Sequence, residues 1–218
     1  MSKFITKFET TAAYEAAKDS LFKPNVSLIK ETNEVTYEPY VPSPTPSHDY
    51  VEIGGIKWAT MNVGANSETD YGNYYQYGKG AAQYAATSGQ SDYSGTESPL
   101  ATSADTAAQE WGGDWHMPTK AEMESLTANT NFEWVTNFNN SGVNGGKFTD
   151  KTDSSKYIFI PAAGRYYNGS LGKVTNYGYT WSSTPDGDYA YILSFGGGLK
   201  EVKISGRKGG YPVRPVLG

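Results

Sequence analysis

Hydrophobic and polar positions alternate in short bursts along most of this chain, and helical periodicity is confined to a few places. Residues 10–22 place Tyr14, Ala17 and Leu21 on one face of an Ala-rich run, which predicts a short helix capped by Thr10 or Thr11 and ended before Pro24. Two alternating runs, 25–29 and 34–38, flank Lys30 to Asn33 and predict a hairpin. Residues 51–53 and 56–59 flank Gly54-Gly55, a two-residue turn signal. Residues 103–110 predict a short helix stopped at Gly112-Gly113. The clearest helix start is Thr119: with Glu122 it has the spacing of a capping box, each residue satisfying an amide that the first turn leaves free. Met123 and Leu126 then face the core from a helix at 119–128. Residues 156–160 and 190–195 predict buried strands, and 202–204 and 213–216 shorter ones. A small mixed sheet, short helices and much ordered loop make an α+β domain with its ends near each other.

The proline run Pro39, Pro42, Pro44 and Pro46 interrupts this pattern and predicts a stiff, extended spacer. The organisation expected is a helix–hairpin module at 1–40, a spacer at 41–49 and the main domain at 50–218. The first forty residues are too few to bury a full core, yet they carry Phe4, Phe8, Leu21, Phe22, Leu28 and Ile29. They read as an attachment or oligomerisation module that docks on a virion anchor protein or on other copies; the alternative is an arm packed on the main domain.

Composition narrows the function. Hydrophobic residues make up only 37% while aromatics reach 14%, with 18 tyrosines, so large rings must supply core that aliphatics do not. The net charge of -5 and the lack of a basic patch argue against nucleic acid as a partner. Absent cysteines exclude disulfides, thiolate metal sites and a cysteine nucleophile. No run is apolar and long enough to insert in a membrane, and residues 1–7 lack a signal-peptide core. The expected location is therefore a virion, as a phage or prophage product, or a cell surface reached without a signal peptide. Glu122 and Glu124 sit on one helix and cannot face each other as glycosidase carboxylates do, Gly196-Gly197-Gly198 lacks the rest of a phosphate loop, and His48 and His116 have no ligand cluster at zinc spacing. Pro185-Asp186-Gly187-Asp188 reads as turn chemistry rather than a calcium site. No catalytic residue, metal ligand or cofactor is expected.

Several ordered motifs carry a resemblance: Trp58 to Ala65, Tyr71 to Gly78, Trp115 to Glu122, Ile160 to Arg165, Thr180 to Thr184 and Val213 to Val216. Together they resemble the C-type-lectin-fold domain of Bacteroides-type bacterial and phage proteins, a fold related to formylglycine-generating enzyme and to the variable proteins of diversity-generating retroelements. The resemblance covers roughly residues 50–216; a looser one links Phe8-Glu9-Thr10, Tyr14, Pro24 to Ile29 and Val35 to Tyr37 to phage structural proteins. It implies a C-type-lectin-like ligand-binding domain. The related oxidase needs a cysteine pair to bind copper, and this chain has none.

From the residues themselves, Trp58, Trp111, Trp115, Trp134 and Trp181 read as core anchors, and Gly164 and Gly178 as tight-turn residues. Arg214 reads as a buried, hydrogen-bonded arginine tying the last strand to the fold. From Arg165 to Tyr211 the exposed-type positions turn to Tyr166, Tyr167, Asn168, Ser170, Asn176, Tyr177, Tyr179, Asp186, Asp188, Tyr189, Tyr191, Ser194 and Tyr211. Tyrosine offers wide amphipathic contact with few rotors, and Ser, Gly and Asn offer adaptable hydrogen bonds, as in antibody loops. If Ala190, Ile192 and Phe195 point inward, Tyr189 and Tyr191 point outward. These thirteen positions are the candidate ligand-binding set, for a bacterial surface protein or glycan, in a phage tail or cell-surface adhesion setting. The competing reading is a structural virion or surface subunit in which the tyrosines pack a sheet. The retroelement resemblance implies adenine mutagenesis, which turns Asn codons into this palette; Lys173, Lys200, Glu201, Lys203 and Lys208 in the same segment depart from it.

Overall fold

The computed structural model describes residues 6–7, 34–35, 48–84 and 93–218. The chain divides into two compact units, Met1–Thr45 and Pro46–Gly218. In the first, β1 (Thr6–Lys7) pairs antiparallel with β2 (Glu34–Val35). The described part of the expected 34–38 strand thus pairs with residues 6–7; the expected helix at 10–22 and strand at 25–29 lie outside the described residues.

The second unit opens with a hairpin, β3 (Tyr50–Ile53) and β4 (Ile56–Ala59). Its turn, Gly54-Gly55, has φ of 60° and 79°, the doubly left-handed geometry that matches strand twist and that side chains resist. After β5 (Tyr75–Gln76) come α1 (Thr106–Trp111), β6 (Trp115–His116) and α2 (Lys120–Asn129). A meander follows of β7 (Thr130–Val135), β8 (Gly145–Asp150) and β9 (Tyr157–Pro161). Then come the short hairpin β10 (Arg165–Tyr167) and β11 (Ser170–Gly172), and the long strands β12 (Gly178–Asp186), β13 (Tyr189–Gly196) and β14 (Leu199–Gly206). β15 (Gly210–Tyr211) and β16 (Val216–Leu217) close the chain.

The α+β class with a helix–hairpin module, and with it the C-type-lectin-like domain as a fold class, is corrected here. Among the described residues the structure is predominantly β, built from several small antiparallel sheets, with two α-helices of six and ten residues. The pattern underestimated strand because many strands span two to four residues, too few for a period to register, and because their pairing is remote. β16 lies between β4 and β6, so the beginning and end of the unit share one sheet with β3. The expected strand at 213–216 is likewise displaced: it meets the observed strands only at Val216, where β16 begins.

The sheet β12–β13–β14 partitions the interior. Directly opposed residues share a face, so Trp181 with Ile192 and Tyr179 with Ser194 face one way, while Thr180 with Leu193 and Gly178 with Phe195 face the other. On the first side Trp181, Ile192 and Ala190 pack with Tyr75, Tyr77, Trp111, Trp115 and Tyr211. On the second, Leu193 and Phe195 pack with Trp58, Met123, Leu126, Phe148 and Ile160. Four of the five tryptophans are buried and Trp134 is partly buried against the second cluster. Gly178 is no turn residue: a Cβ there would stand 1.9 Å from the Phe195 ring. Gly164, with φ of 64°, does occupy a left-handed position.

The helices are pinned by side chains. The Thr119/Glu122 capping box forms with both reciprocal bonds, and Met123 and Leu126 are fully buried. Asp105 caps α1 through the Ala108 amide (3.0 Å) and also accepts from the Met117 amide (2.9 Å), coupling the helix to the strand after it. Lys200 on β14 donates to the Thr127 and Thr130 carbonyls (2.8 and 2.9 Å) at the end of α2, where a cation complements the helix dipole.

Arg214 is fully buried and no acidic side chain pairs with it among the described residues. Its Nε donates to Asn62 Oδ1 (2.9 Å), Nη1 to the Ala59 carbonyl and Nη2 to the Phe159 carbonyl (3.0 Å each), and its amide to Thr180 Oγ1 (2.8 Å). Desolvation lowers its pKa to about 9, so it stays charged at neutral pH. Replacing it leaves three inward-facing oxygens without donors. Arg214→Met is expected to lower unfolding free energy by about 3–5 kcal/mol, with Arg214→Lys destabilised as well because a point charge cannot span the fork. Denaturant titration followed by tryptophan fluorescence checks this; a loss under about 1 kcal/mol would show the network to be dispensable.

His116 Nε2 meets Glu122 Oε1 at 3.3 Å and Nδ1 meets the Asp114 carbonyl at 3.2 Å. The bond to Glu122 raises the His116 pKa above its ordinary 6.5, against the opposing effect of burial. Burial pushes Glu122 up, but His116 and Thr119 outweigh it and leave it below 4.5. A raised histidine stabilises fully below its unfolded pKa and loses that contribution as pH rises through the folded value. A lowered carboxyl does so above its unfolded pKa and loses it as pH falls through the folded value. The pair is therefore strongest between about pH 4.5 and 6.5. His116→Gln should cost about 0.5–1 kcal/mol more at about pH 5.5 than at about pH 8.5. Equal losses at both pH values in paired thermal melts would contradict the assignment.

Candidate ligand-binding surface

The β10–β11 hairpin turns at Asn168-Gly169, both left-handed with φ of 48° and 77°, a second Asn-Gly-type hairpin signal that the sequence carries openly. Its strands have two faces. Tyr166 opposes Leu171 on one; Arg165 and Tyr167 lie on the other. Tyr166 stacks on Tyr84 with ring centroids 5.0 Å apart and meets Tyr74 edge-on at 5.1 Å. Gly169 donates its amide to the Tyr84 hydroxyl (3.1 Å), and the Tyr74 hydroxyl donates to the Ala163 carbonyl. Burial raises the Tyr74 pKa well above its ordinary value. These contacts hold the hairpin from beneath, while Tyr167, Asn168 and Ser170 are exposed, Tyr167 at 55%.

The segment after β11 joins this surface. Gly164 donates to the Tyr177 carbonyl (2.9 Å) and Thr175 to the Ala162 carbonyl (2.8 Å), which fixes Asn176 and Tyr177, both exposed, beside the hairpin base. Tyr177 and Tyr179 are neighbours at 6.2 Å. Between these pieces stands Arg165, with Tyr167, Tyr179 and Tyr211 ring centroids 5.3, 5.4 and 5.9 Å from its guanidinium carbon. Its Nη1 donates to the Tyr211 hydroxyl (2.9 Å), which shares a further hydrogen bond with Ser205 Oγ (2.7 Å). Desolvation works to lower the Arg165 pKa, but Tyr211, Tyr179 and Tyr167 outweigh it and hold it above its ordinary value.

The thirteen candidate residues do not form one surface. Tyr167, Asn168, Ser170, Asn176 and Tyr177 come together, with Tyr166 half-buried behind them. Asp186, Asp188 and Tyr189 are exposed at the opposite end of the β12–β13 pair, roughly 25 Å away at about 3.3 Å per residue. Tyr191 is partly buried under Lys120, whose Nζ is 4.5 Å from its ring. Tyr179, Ser194 and Tyr211 are corrected outright: they are buried at 6%, 4% and 0% and belong to the scaffold. Their burial follows from the partition, since Tyr179 and Ser194 lie on the face of Trp181 and Ile192. The same register puts Phe195 with Tyr189 and Tyr191 rather than opposite them. Those tyrosines escape burial by lying toward the strand end, not by facing solvent on an open sheet.

Arg165 was not among the candidates, although it opens the tyrosine-rich segment; a cation next to two tyrosines was the available signal. Tyr74 and Tyr84, the supports, were invisible because their partners are some eighty or more residues away. Among the described residues no three His, Asp or Glu side chains lie close enough to share a metal ion. The surface offers hydroxyls, amides, aromatic rings and the cations of Arg165 and Lys173. No family model, curated protein or solved structure matches the chain, and the resemblance to C-type-lectin-fold domains thus finds no counterpart there.

Scaffold and surface tyrosines should separate in a stability series. Tyr211→Ala is expected to cost about 3–5 kcal/mol, whereas Tyr167→Ala and Tyr177→Ala should stay within about 0.5 kcal/mol of the parent. Comparable losses in denaturant titrations of all three variants would place the exposed pair in the fold instead.

Proposed function

We propose that the chain is a ligand- or receptor-binding display protein, working in a phage tail or in cell-surface adhesion, and not an enzyme. The observation that supports this most is the exposed group Tyr167, Asn168, Ser170, Asn176 and Tyr177 on a hairpin base fixed by Tyr74, Tyr84 and Tyr166. Amphipathic rings and small polar groups on a rigid support lose little conformational entropy on binding, the economy on which antibody loops also rely. The ligand class this reading favours is a bacterial surface protein or glycan, with residues 1–40 attaching the chain to an anchor protein or to other copies.

The competing function, a structural subunit without a ligand, makes different demands on the same residues. A binding screen against bacterial outer-membrane proteins and surface polysaccharides distinguishes them. A hit should weaken about tenfold or more in Tyr167→Ala/Tyr177→Ala, with unchanged melting temperature. Deleting residues 1–46 should leave that hit intact and abolish assembly into the particle. A protein that binds nothing in the screen, or a hit indifferent to both tyrosines, would sink the display reading.

A further inference from the structure

The chain has three arginines, and two of them are spent inside the fold. Arg214 is fully buried among oxygen acceptors. Arg207 is 4% exposed and donates to the Tyr189, Tyr93 and Gly95 carbonyls (3.0, 2.9 and 2.9 Å). Arg165 differs in its exposure and in its hydrogen-bond partner. It is partly exposed, its one hydrogen bond goes to a phenol, and no carboxylate pairs with it among the described residues. A guanidinium offers five N–H donors in a planar fork, and among the described residues the bond to Tyr211 uses one of them.

Its setting restricts what it can do. Tyr167, Tyr179 and Tyr211 surround the guanidinium carbon within 6 Å, close enough for cation–π attraction, and the Tyr211–Ser205 hydrogen bond fixes the hydroxyl that orients it. The charge is thus held in one place before any ligand arrives, beside the exposed ring of Tyr167, with exposed Tyr177 next to Tyr179. We infer that Arg165 is the anchor of the display surface and that its ligand is a folded protein presenting a Glu or Asp side chain, whose carboxylate the guanidinium takes in a two-pronged hydrogen bond beside Tyr167. This inference rests on the display function proposed above.

Three considerations select that occupant. The planar fork matches a carboxylate bidentately, and such charge-assisted pairs are the stronger kind of hydrogen bond. Tyrosine and arginine together are the residues that dominate protein–protein hot spots, where surrounding contacts exclude water. The chain's net charge of -5 disfavours a polyanion such as an acidic polysaccharide, which would bring many charges to a surface where Arg165 and Lys173 are the cations beside the tyrosines, whereas a single acidic side chain asks for one partner.

The test uses the full-length chain as bait for a random twelve-residue peptide library displayed on phage, with Arg165→Met, Arg165→Lys, Tyr167→Ala and Tyr177→Ala as counter-baits. Enriched peptides should carry an obligatory Glu or Asp. They should bind Arg165→Met about tenfold or more weakly, lose affinity when that acid becomes its amide, and be displaced by N-acetylglutamate amide better than by glucuronate. Arg165→Lys keeps a cation among the rings, so it carries the test if Arg165→Met fails to fold; a loss there shows that the fork and not the charge alone is read. Peptides that need Tyr167 and Tyr177 but ignore Arg165 would overturn the anchor and leave the display function standing. Peptides indifferent to all four substitutions, or no enrichment over uncoated wells, would count against both. Displacement by glucuronate alone would replace the protein ligand by an acidic sugar.

Discussion

One buried cation, Arg214, organises this fold. Arg214 is fully buried and no carboxylate pairs with it among the described residues, so its desolvation must be offset by oriented oxygens, and those oxygens come from β4, from the loop at Asn62 and from β9. Each acceptor belongs to a part of the chain that would otherwise be free to settle independently. The residues around Arg214 repeat the pattern on the main chain. Pro212 accepts from the Trp181 amide at 3.1 Å, Val213 from Val63 at 2.9 Å and Pro215 from Ala59 at 3.0 Å. Proline has no amide to satisfy, so Pro212 and Pro215 occupy the core as acceptors and leave no orphaned donor. The last strand then pairs with both β4 and β6. The segment from Tyr211 to Leu217 therefore serves as an axis on which remote, very short strands are registered.

Short strands need such an axis because they bury little on their own. The partition sheet supplies the remainder. With large side chains on both faces, β13 is buried almost continuously from Ile192 to Gly196, and two clusters share one wall. Tyrosine makes this possible in a chain poor in aliphatics. Tyr75, Tyr77 and Tyr211 are fully buried, and each hydroxyl then needs a partner: Asn73 for the first, the Ser183 carbonyl for the second, Arg165 and Ser205 for the third. The Tyr211 hydroxyl reaches the edge of the core, and that is where Arg165 stands. Its guanidinium is thus positioned by the polar end of a core residue.

Local signals were legible where a few adjacent residues decide the structure. Gly54-Gly55 and the Thr119/Glu122 box belong to that kind, and Arg214 was readable because a lone arginine between Val213 and Pro215 near a hydrophobic terminus has few other uses. The predominance of β structure was not legible, since two-residue strands such as β5, β6 and β16 have no period and exist only through partners far along the chain. The surface was half legible for a related reason. Composition marks a tyrosine as suited to display or to packing alike, and only the start of β12 at Gly178 separates exposed Tyr177, just before it, from buried Tyr179 within it. Phe195 was assigned to the wrong parity because a strand buried on both faces offers no alternation to count.

The charged positions that break the tyrosine–asparagine–serine palette prove informative once their duties are known. Lys200 closes α2, and Lys203 pairs with Glu201 two residues away on the same face. Lys173 holds a left-handed backbone position, φ of 66°, with its ammonium 5.6 Å from the Tyr177 ring. Each is tied to a neighbour it supports. Tyr167, Ser170, Asn176 and Tyr177 instead project from a backbone fixed by bonds made elsewhere: the Asn168-Gly169 turn, the Tyr84 hydroxyl and the Gly164 and Thr175 amides. Side chains so placed can change identity at little cost to stability, because the contacts that define the hairpin run through the backbone and through Tyr166. The exposed side chains are thus separable from the contacts that maintain the fold; Arg165, held by Tyr211 yet partly exposed, belongs to both.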